Sequence, residues 1–205
     1  MARLSRDFYA QNTLDAARAL LGKYLIRRRD GELLAGRVVE TEAYIGRCDK
    51  ACHAYNYRRT ARTETLFAPP GTAYIYLIYG MYHCLNFVTE PEGEPAAVLL
   101  RGLRPAAGEE TMARLRYGDR PMTPYRRRNF LNGPGKVCRA LDLTRADNGL
   151  DLTGDVLFLC DSPEDAGLPP CPPPGRERIC AGPRIGVDYA EEARDFPWRF
   201  WLEEE

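Results

Sequence analysis

Hydrophobic and polar positions predict the most regular structure between Gly71 and Asn86. Two runs of strand-forming residues, Ala73–Ile78 and Tyr82–Val88, flank the tripeptide Tyr79-Gly80-Met81, whose glycine supplies the backbone freedom of a tight turn. The pattern predicts a β-hairpin with the ring of Tyr79 at its tip. Core packing explains the aliphatic positions, whereas rings on a rigid support also suit stacking on nucleic-acid bases.

The first 45 residues predict one helix and a second hairpin. Leucine and alanine recur there at helical spacing, and two strand-like runs follow around an Asp-Gly turn. The predicted bounds are a helix over Leu14–Leu21 with Asn12 or Thr13 as its cap and Gly22 as its end, a strand over Lys23–Arg29, a turn at Asp30-Gly31 and a strand over Leu33–Tyr44.

The end of that second strand carries an unusual polar face. With a period of two, Glu40, Glu42 and Tyr44 lie on the same side. A solvent-facing edge explains the two glutamates, but a carboxylate, a tyrosine and the downstream His53 also suit a proton-handling pocket. The two carboxylates would lie roughly 6.5–7 Å apart along a strand, a separation similar to that of the paired acids of inverting glycosidases.

The remaining chain predicts alternating strands, helices and polar connections. Its strand and helix patterns are separated by proline- and glycine-rich segments. The predicted elements are a polar connection over residues 45–70, a strand over Ala96–Leu103, a helix over Glu109–Arg116, an irregular basic segment over Asp119–Asn129, a proline-rich surface loop over residues 161–177, and strands over Ile179–Val187 and Trp198–Leu202.

Several basic residues stand where they could contact an anion. Arg58 and Arg59 lie in the polar connection, which is either a solvated loop or a loop that contacts phosphate. Lys136 follows Asn132-Gly-Pro-Gly, which predicts a helix start that could cradle phosphate but lacks the spacing of a Walker loop. Arg101 interrupts an apolar strand, so it points either outward or inward towards an anionic or aromatic partner.

Composition indicates one soluble globular domain over residues 1–205. The chain is 44% hydrophobic and 28% charged, and no apolar run reaches the roughly 18–20 residues of a membrane span. The N-terminus lacks the pattern of a secretory signal, so we expect a cytoplasmic protein. Seven cysteines without a Cys-x-x-Cys pair favour reduced thiols over disulfides or a metal site.

Charge is unevenly distributed although the formal net charge is zero. Residues 51–140 hold thirteen Arg/Lys and seven Asp/Glu, whereas residues 141–205 hold six and fifteen. Nearly all of the positive charge is arginine, which suits phosphate recognition and stacking on aromatic rings. A basic middle segment can therefore attract a polyanion even in a neutral chain.

These motifs together resemble those of the alkyladenine (3-methyladenine) DNA glycosylase family over nearly the whole chain, from about Phe8 to Leu202. The resemblance is carried by Glu-Thr-Glu-Ala-Tyr (40–44), His53, the tyrosine-rich hairpin (74–86), Leu-Leu-Arg (99–101), Asn-Gly-Pro-Gly-Lys (132–136) and Arg-Ile-Gly-Val (184–187). It implies a mixed α+β fold, in which one compact domain has a curved antiparallel β-sheet, short flanking helices and a protruding β-hairpin.

The resemblance also implies the activity and its residues. Members excise alkylated or deaminated purines such as 3-methyladenine and 7-methylguanine from double-stranded DNA, as monomers, without a metal, a cofactor or lyase activity. Hypoxanthine and ethenoadenine are further candidate substrates, and the nucleoid is the expected place of action. By motif position, the implied roles are general base for Glu42, control of the water or the flipped nucleotide for Arg101, base pocket for Tyr44, His53, Tyr76 and Asn86, DNA intercalation for Tyr79, and backbone contact for Arg58, Arg59 and Lys136.

Two other classes of function stay open on the residues alone. A non-catalytic module could bind damaged or single-stranded DNA through the same rings. A sugar glycosidase could use Glu40 and Glu42. A carboxylate that faces the aromatic platform has no use in a pure binding module, so Glu42 distinguishes the first alternative from an enzyme.

Overall fold

The strands of the described residues all belong to one antiparallel sheet. The computed structural model describes residues 2–172 and 175–204, and within these the strand order is β3-β4-β5-β2-β1-β6. Strand β8 pairs with β2 and β7, which extends the sheet along a second branch. The strands are β1 (Tyr24–Arg29), β2 (Glu32–Ile45), β3 (Ala73–Ile78), β4 (Tyr82–Val88), β5 (Ala96–Ala107), β6 (Leu157–Cys160), β7 (Glu177–Gly182) and β8 (Arg199–Glu204).

In the described part of the chain, five short α-helices flank the sheet. Helix α2 packs on β2 and β5, α5 packs on β4 and β5, and α3 packs on α5. The Asn12 side chain caps α2 by accepting a hydrogen bond from the Leu14 N–H. The helices are α1 (Arg6–Tyr9), α2 (Thr13–Ala19), α3 (Glu109–Tyr117), α4 (Pro124–Arg128) and α5 (Pro134–Ala140), and short 3₁₀ turns occupy Tyr55–Tyr57, Glu64–Phe67, Arg145–Asp147, Glu164–Ala166 and Glu191–Asp195.

Strand β2 is the strand on which the sheet branches. Its first half pairs with β1, residues 40–42 pair with β8, and its other edge pairs with β5. The β2–β5 register shifts around Gly36 and on both sides of Glu40. Such irregularities bend a strand and increase its twist, so the sheet curves at the position of the acidic residues.

The two faces of β2 have different surroundings. Thr41 and Ala43 are fully buried on the face covered by α2, where the Thr41 hydroxyl donates to the carbonyl of Ala17 at 2.8 Å. Glu42 and Tyr44 therefore lie on the opposite face. The alternation of the strand directs these polar side chains away from the main hydrophobic core.

The tyrosine-rich segment forms the predicted hairpin from β3 and β4, and its bounds agree with the prediction. Tyr79 and Gly80 both have positive φ angles, 53° and 68°, and the Met81 N–H closes the turn by donating to the Ile78 carbonyl. Left-handed backbone is uncommon for a tyrosine, so Gly80 and the hydrogen bond maintain an otherwise unfavourable conformation at the tip.

The predicted mixed α+β fold with an antiparallel sheet is confirmed. The main core lies between the sheet and helices α2, α3 and α5, and includes Leu20, Leu100 and Val137. Among the described residues, no helix is both long enough and apolar enough to cross a membrane.

Some predicted bounds were wrong. The segment Asp119–Asn129, which was expected to be irregular, contains α4. Thr123 caps this helix, because its side chain accepts a hydrogen bond from the Arg126 N–H. The strand expected over Ile179–Val187 ends at Gly182, because Pro183 lacks the N–H that a ladder needs. Strand β5 extends to Ala107, four residues beyond the predicted end. Helix α1 and strand β6 had no prediction.

The proline-rich segment, residues 161–177, is only partly a surface loop. Leu168 and Cys171 pack against a small cluster that includes Tyr24 and Phe158, so this part of the segment covers the end of the sheet. Residues 173 and 174, which belong to the predicted surface loop, lie outside the described residues.

Candidate active site

A cavity of about 830 Å³ opens beside the hairpin. Its volume lies within the range of roughly 300–1,000 Å³ that is usual for ligand sites. Aromatic rings, arginines and one loop at the end of β7 form its wall. The lining residues include Tyr44, Cys52, His53, Tyr74, Tyr76, Tyr79, Tyr82, Asn86, Leu99, Arg101, Arg116, Lys136, Arg139, Ile185, Val187 and Tyr189. Strands β2, β3, β4 and β5 thus bring most of the predicted site residues to one place.

Glu42 lies directly behind this wall. Its side chain is fully buried, and the Tyr44 hydroxyl donates to Oε2 at 2.7 Å. The backbone N–H of Ile185 donates to Oε1 at 2.8 Å, and Arg101 Nε lies 3.4 Å from the same oxygen. Tyr44, Ile185 and Arg101 all line the cavity, so every polar partner of the carboxylate belongs to the wall.

Burial and these partners have opposite effects on the proton affinity of the carboxylate. Burial raises the pKa of Glu42 above its ordinary value, while Arg101, the Ile185 N–H and the Tyr44 hydroxyl partly offset this. Burial and the adjacent Glu42 charge hold the pKa of Tyr44 well above 10. Tyr44 therefore remains a hydroxyl that donates to the carboxylate.

Arg101 points inward and joins two carboxylates. Its Nε donates to Glu40 Oε1 at 3.1 Å and lies 3.4 Å from Glu42 Oε1. Arg199 also donates to Glu40, at 3.1 Å. Glu40 is partly exposed, whereas Glu42 is not, so the two glutamates of the motif have different surroundings.

His53 packs among tyrosines rather than against Glu42. Its ring centroid lies 4.6 Å from that of Tyr76 in an edge-to-face arrangement, and its Nδ1 lies 3.1 Å from the Tyr74 hydroxyl. Burial, followed by the nearby Arg62, lowers the pKa of His53 to about 4. The imidazole is therefore neutral at physiological pH, and its polar contacts among the described residues are with Tyr74 and Arg62.

Asn86 is buried in the same wall with a fixed orientation. Its Nδ2 donates to the carbonyls of Tyr74 and Cys84 at 3.1 and 3.4 Å. Because both partners are acceptors, only the amide nitrogen can face them. The amide plane is consequently held in place at the cavity.

Tyr79 projects from the tip of the hairpin and is 79% exposed. It also belongs to the cavity wall, where Tyr82 and Tyr76 of the same hairpin lie further in. Met81, beside it, is 66% exposed. An exposed tyrosine on the wall of an aromatic cavity, with an exposed methionine next to it in sequence, is not explained by core packing.

The three predicted backbone contacts have different surroundings. Lys136 lines the cavity, and its Nζ donates to Asn132 Oδ1 at 2.8 Å. Arg58 and Arg59 are exposed outside the wall, and Arg59 is engaged by Glu64 at 2.6 Å. The structure therefore brings Lys136, but neither arginine, into the cavity.

Sequence reasoning missed a buried ion pair that supports the site. Arg184 Nη2 donates to Asp49 Oδ1 at 2.8 Å and to the carbonyl of Ala193 at 3.0 Å, while its Nη1 donates to the carbonyl of Ala43. Both charged side chains are fully buried, and the guanidinium carbon lies 4.7 Å from the ring centroid of Tyr44. Arg184 belongs to the Arg-Ile-Gly-Val motif (184–187), but its partner Asp49 lies 135 residues away in the chain. Nothing in the sequence indicated that the two residues pair.

No group of three or more His, Cys, Asp or Glu side chains within residues 2–172 and 175–204 could hold a metal ion. Cys48, Cys52 and the other five cysteines are free thiols.

A carboxylate behind a cavity of stacking rings, with an exposed ring at its mouth, fits the class of DNA glycosylases, enzymes that take a base out of the duplex stack to act on it. The family model described as Methylpurine-DNA glycosylase (MPG) matches residues 7–205. The chain belongs to this family and is a DNA glycosylase of base excision repair. The resemblance noted in the sequence is thereby confirmed.

Curated relatives match almost the whole chain. A protein of Clostridium perfringens (strain SM101 / Type A) is 47% identical over 208 residues, which cover 98% of this chain and 96% of the relative. A protein of Bacillus cytotoxicus is 49% identical over 196 residues, covering 96% and 94%. Both carry the name "Putative 3-methyladenine DNA glycosylase". Family membership decides against the sugar glycosidase and the non-catalytic binding module.

Proposed function

We propose that the protein flips alkylated or deaminated purines out of double-stranded DNA and hydrolyses their N-glycosidic bond with a water activated by Glu42. The substrates are 3-methyladenine and 7-methylguanine, with hypoxanthine and ethenoadenine as further candidates. The product is an abasic site, and the enzyme has no lyase activity and needs no cofactor. It acts as a monomer on the DNA of the nucleoid.

The observation that carries this proposal is the placement of Glu42. The carboxylate is fully buried, and its partners Tyr44, Ile185 and Arg101 all line the aromatic cavity. Burying a charge in this position costs free energy, which these partners offset only in part. Catalysis supplies a reason to keep an acid behind the rings.

The ionised carboxylate has two uses in this reaction. The sugar gains oxocarbenium character as the bond to the purine breaks, so a negative charge nearby lowers the barrier. The same carboxylate accepts a proton from the attacking water. Because Glu42 has no exposed surface, the water must enter between the carboxylate and the cavity, on the side of Arg101.

The walls of the cavity hold the flipped base. Tyr44, Tyr76 and His53 offer ring faces and edges for a planar purine to stack on. Asn86, whose amide is fixed by two backbone carbonyls, narrows the cavity and helps to exclude normal guanine. A rigid group discriminates better than a mobile one, because it cannot move aside for the wrong base.

The hairpin and the basic residues hold the duplex. Tyr79 fills the gap left by the flipped nucleotide, which offsets part of the few kcal/mol that unstacking costs. Lys136 at the cavity and the exposed Arg58 and Arg59 contact phosphates. Of these three, Arg59 contributes least, because Glu64 already pairs with it.

The direct test is to incubate the purified protein with methylated DNA in the presence of a chelator and to identify the released bases by chromatography. We expect free 3-methyladenine and 7-methylguanine and intact strands that break only on alkaline treatment. Strand breaks without alkali would contradict the absence of lyase activity. Absence of any released base would contradict the proposed function.

A further inference from the structure

Arg62 lies against the rings of the base cavity. Its guanidinium carbon is 5.3 Å from the ring centroid of Tyr76, and its Nη2 is 3.5 Å from His53 Nε2. His53 in turn contacts Tyr74 through Nδ1 at 3.1 Å. These four residues, Arg62, His53, Tyr74 and Tyr76, form the cluster that we call the Arg62 cluster, and all but Arg62 line the cavity.

Two other guanidinium groups lie against the Tyr44 ring or the Glu42 carboxylate, and carboxylates compensate both. Arg116 on α3 and Lys136 and Arg139 on α5 also line the cavity, and among the described residues none of these three forms an ion pair with a carboxylate. Arg184 lies over Tyr44 and pairs with Asp49 in a fully buried ion pair. Arg101 lies 3.1 Å from Glu40 and 3.4 Å from Glu42. The charges of Arg184 and Arg101 are therefore largely cancelled at the position of a bound base.

Arg62 lacks such a partner. Within the part of the chain that the structure describes, no carboxylate lies within 4.0 Å of its guanidinium group, and its contacts are with His53, Tyr74 and Tyr76. The neighbouring Arg59 differs, because Glu64 holds it in a bidentate pair. Arg62, although exposed, is thus an uncompensated positive charge in contact with the rings of Tyr76 and His53.

The chemistry of the cluster follows from this charge. Arginine has only donors, so His53 Nε2 faces Arg62 with its lone pair and the ring proton resides on Nδ1, next to the Tyr74 hydroxyl. The π face of Tyr76 attracts a cation, but Arg62 already supplies one. A second cation in the cavity meets repulsion that a neutral base does not.

We propose that Arg62 shifts the preference of the cavity from cationic towards neutral damaged purines. This inference rests on the proposed function and makes Arg62 a specificity-determining residue of the same site. Purines alkylated on a ring nitrogen, such as 7-methylguanine, carry a positive charge in DNA, whereas deaminated purines such as hypoxanthine do not. The uncompensated guanidinium disfavours the first class relative to the second.

The test compares two substrates and two variants. Identical duplexes carry either 7-methylguanine or hypoxanthine at one position, and single-turnover release rates are measured with wild type, Arg62→Gln and Arg58→Gln. Arg58 is the matched control, because it is an exposed arginine of the same loop outside the cavity wall. Release without enzyme is subtracted for each substrate.

In Arg62→Gln we expect the ratio of the 7-methylguanine rate to the hypoxanthine rate to rise about tenfold over wild type, which corresponds to about 1.4 kcal/mol. Arg58→Gln should leave the ratio unchanged even if it weakens DNA binding for both substrates. Arg62→Lys keeps the charge and should stay close to wild type. A ratio in Arg62→Gln that is unchanged or lower would overturn the inference.

A second measurement is independent of base release. Removing the charge of Arg62 should raise the pH at which His53 titrates in an NMR experiment, because Arg62 disfavours the protonated imidazole. An unchanged titration would overturn the inference even in a catalytically inactive preparation. Release of neither base by the wild type would instead contradict the proposed function, so the two failures are distinguishable.

Discussion

Among single residues, Glu42 is subject to two opposing effects on its ionisation. In the proposed mechanism it acts on a base held in the cavity, but its burial favours the protonated form, which cannot accept a proton. Arg101, the Ile185 N–H and the Tyr44 hydroxyl favour the ionised form. The resulting pKa of Glu42 lies above the ordinary value for glutamate. It is therefore closer to neutral pH, which suits a general base.

The pH dependence of catalysis should report this balance. Because the base works only when ionised, the rate of base release should fall as pH decreases through the raised pKa of Glu42. In Tyr44→Phe the ring remains, but the hydroxyl that lowers this pKa is lost. The acidic limb of the single-turnover pH–rate profile should therefore move to higher pH, and a limb that stays or moves to lower pH would contradict this account of the carboxylate.

At the scale of elements, the β3–β4 hairpin both walls the cavity and presents Tyr79. The strands place Tyr76 inward, while the left-handed turn places Tyr79 outward, so a single element can serve the pocket and the duplex. The hairpin is exposed at its tip and anchored by β4–β5 pairing at its base. A rigid base is what an inserted ring needs.

Replacing Tyr79 by alanine should separate base flipping from chemistry. The variant should lose activity on a damaged base in duplex DNA more than on the same base in single-stranded DNA, since only the duplex requires a gap to be filled. Tyr125→Ala is the control, because Tyr125 is 69% exposed but does not line the cavity. Equal losses on both substrates would show that Tyr79 has no role in flipping.

The loop that follows β7 is held on the site by the Arg184–Asp49 pair. In Asp49→Asn the buried guanidinium of Arg184 loses its counter-charge, so we expect a loss of about 3–5 kcal/mol in the free energy of unfolding. Glu203→Gln, which breaks an exposed pair with Arg178, should leave the free energy of unfolding nearly unchanged. Denaturant unfolding measures both, and equal small losses would contradict the importance of the buried pair.

The elements that sequence predicted well are those specified by local chemistry. The hairpin at Tyr79, the cap at Asn12 and the acidic face of β2 follow from turn residues, capping and alternation, and these need no distant partner. The Arg184–Asp49 pair and the Ile185 contact with Glu42 join residues that are 135 and 143 positions apart in the chain. No local pattern specifies such contacts, so they required the structure.

At the scale of the whole molecule, the structure shows which positive charges of the basic middle segment are already paired. Some arginine charges of the basic middle segment are already compensated, since Arg59 pairs with Glu64 and Arg127, on α4, pairs with Glu109. Arg128 is exposed on the same helix. The number of arginines therefore overstates the positive charge that DNA can use.

The salt dependence of DNA binding measures how many of the remaining positive charges contact phosphates. In Arg128→Ala, the slope of log affinity for DNA against log salt should become less steep by about one, as expected for the loss of one phosphate contact. Arg178→Ala should leave the slope unchanged, because Arg178 lies in the acidic part of the chain and pairs with Glu203. An unchanged slope in both variants would place Arg128 outside the DNA interface.

The central claim, that Glu42 behind the aromatic cavity activates the attacking water, is tested most directly by single-turnover release of 7-methylguanine in Glu42→Gln. We predict a loss of at least about 10²-fold with DNA binding retained within a few fold. Glu40→Gln, at the partly exposed neighbour on the same strand, should lose much less. Base release by Glu42→Gln at a rate near that of the wild type would contradict the account.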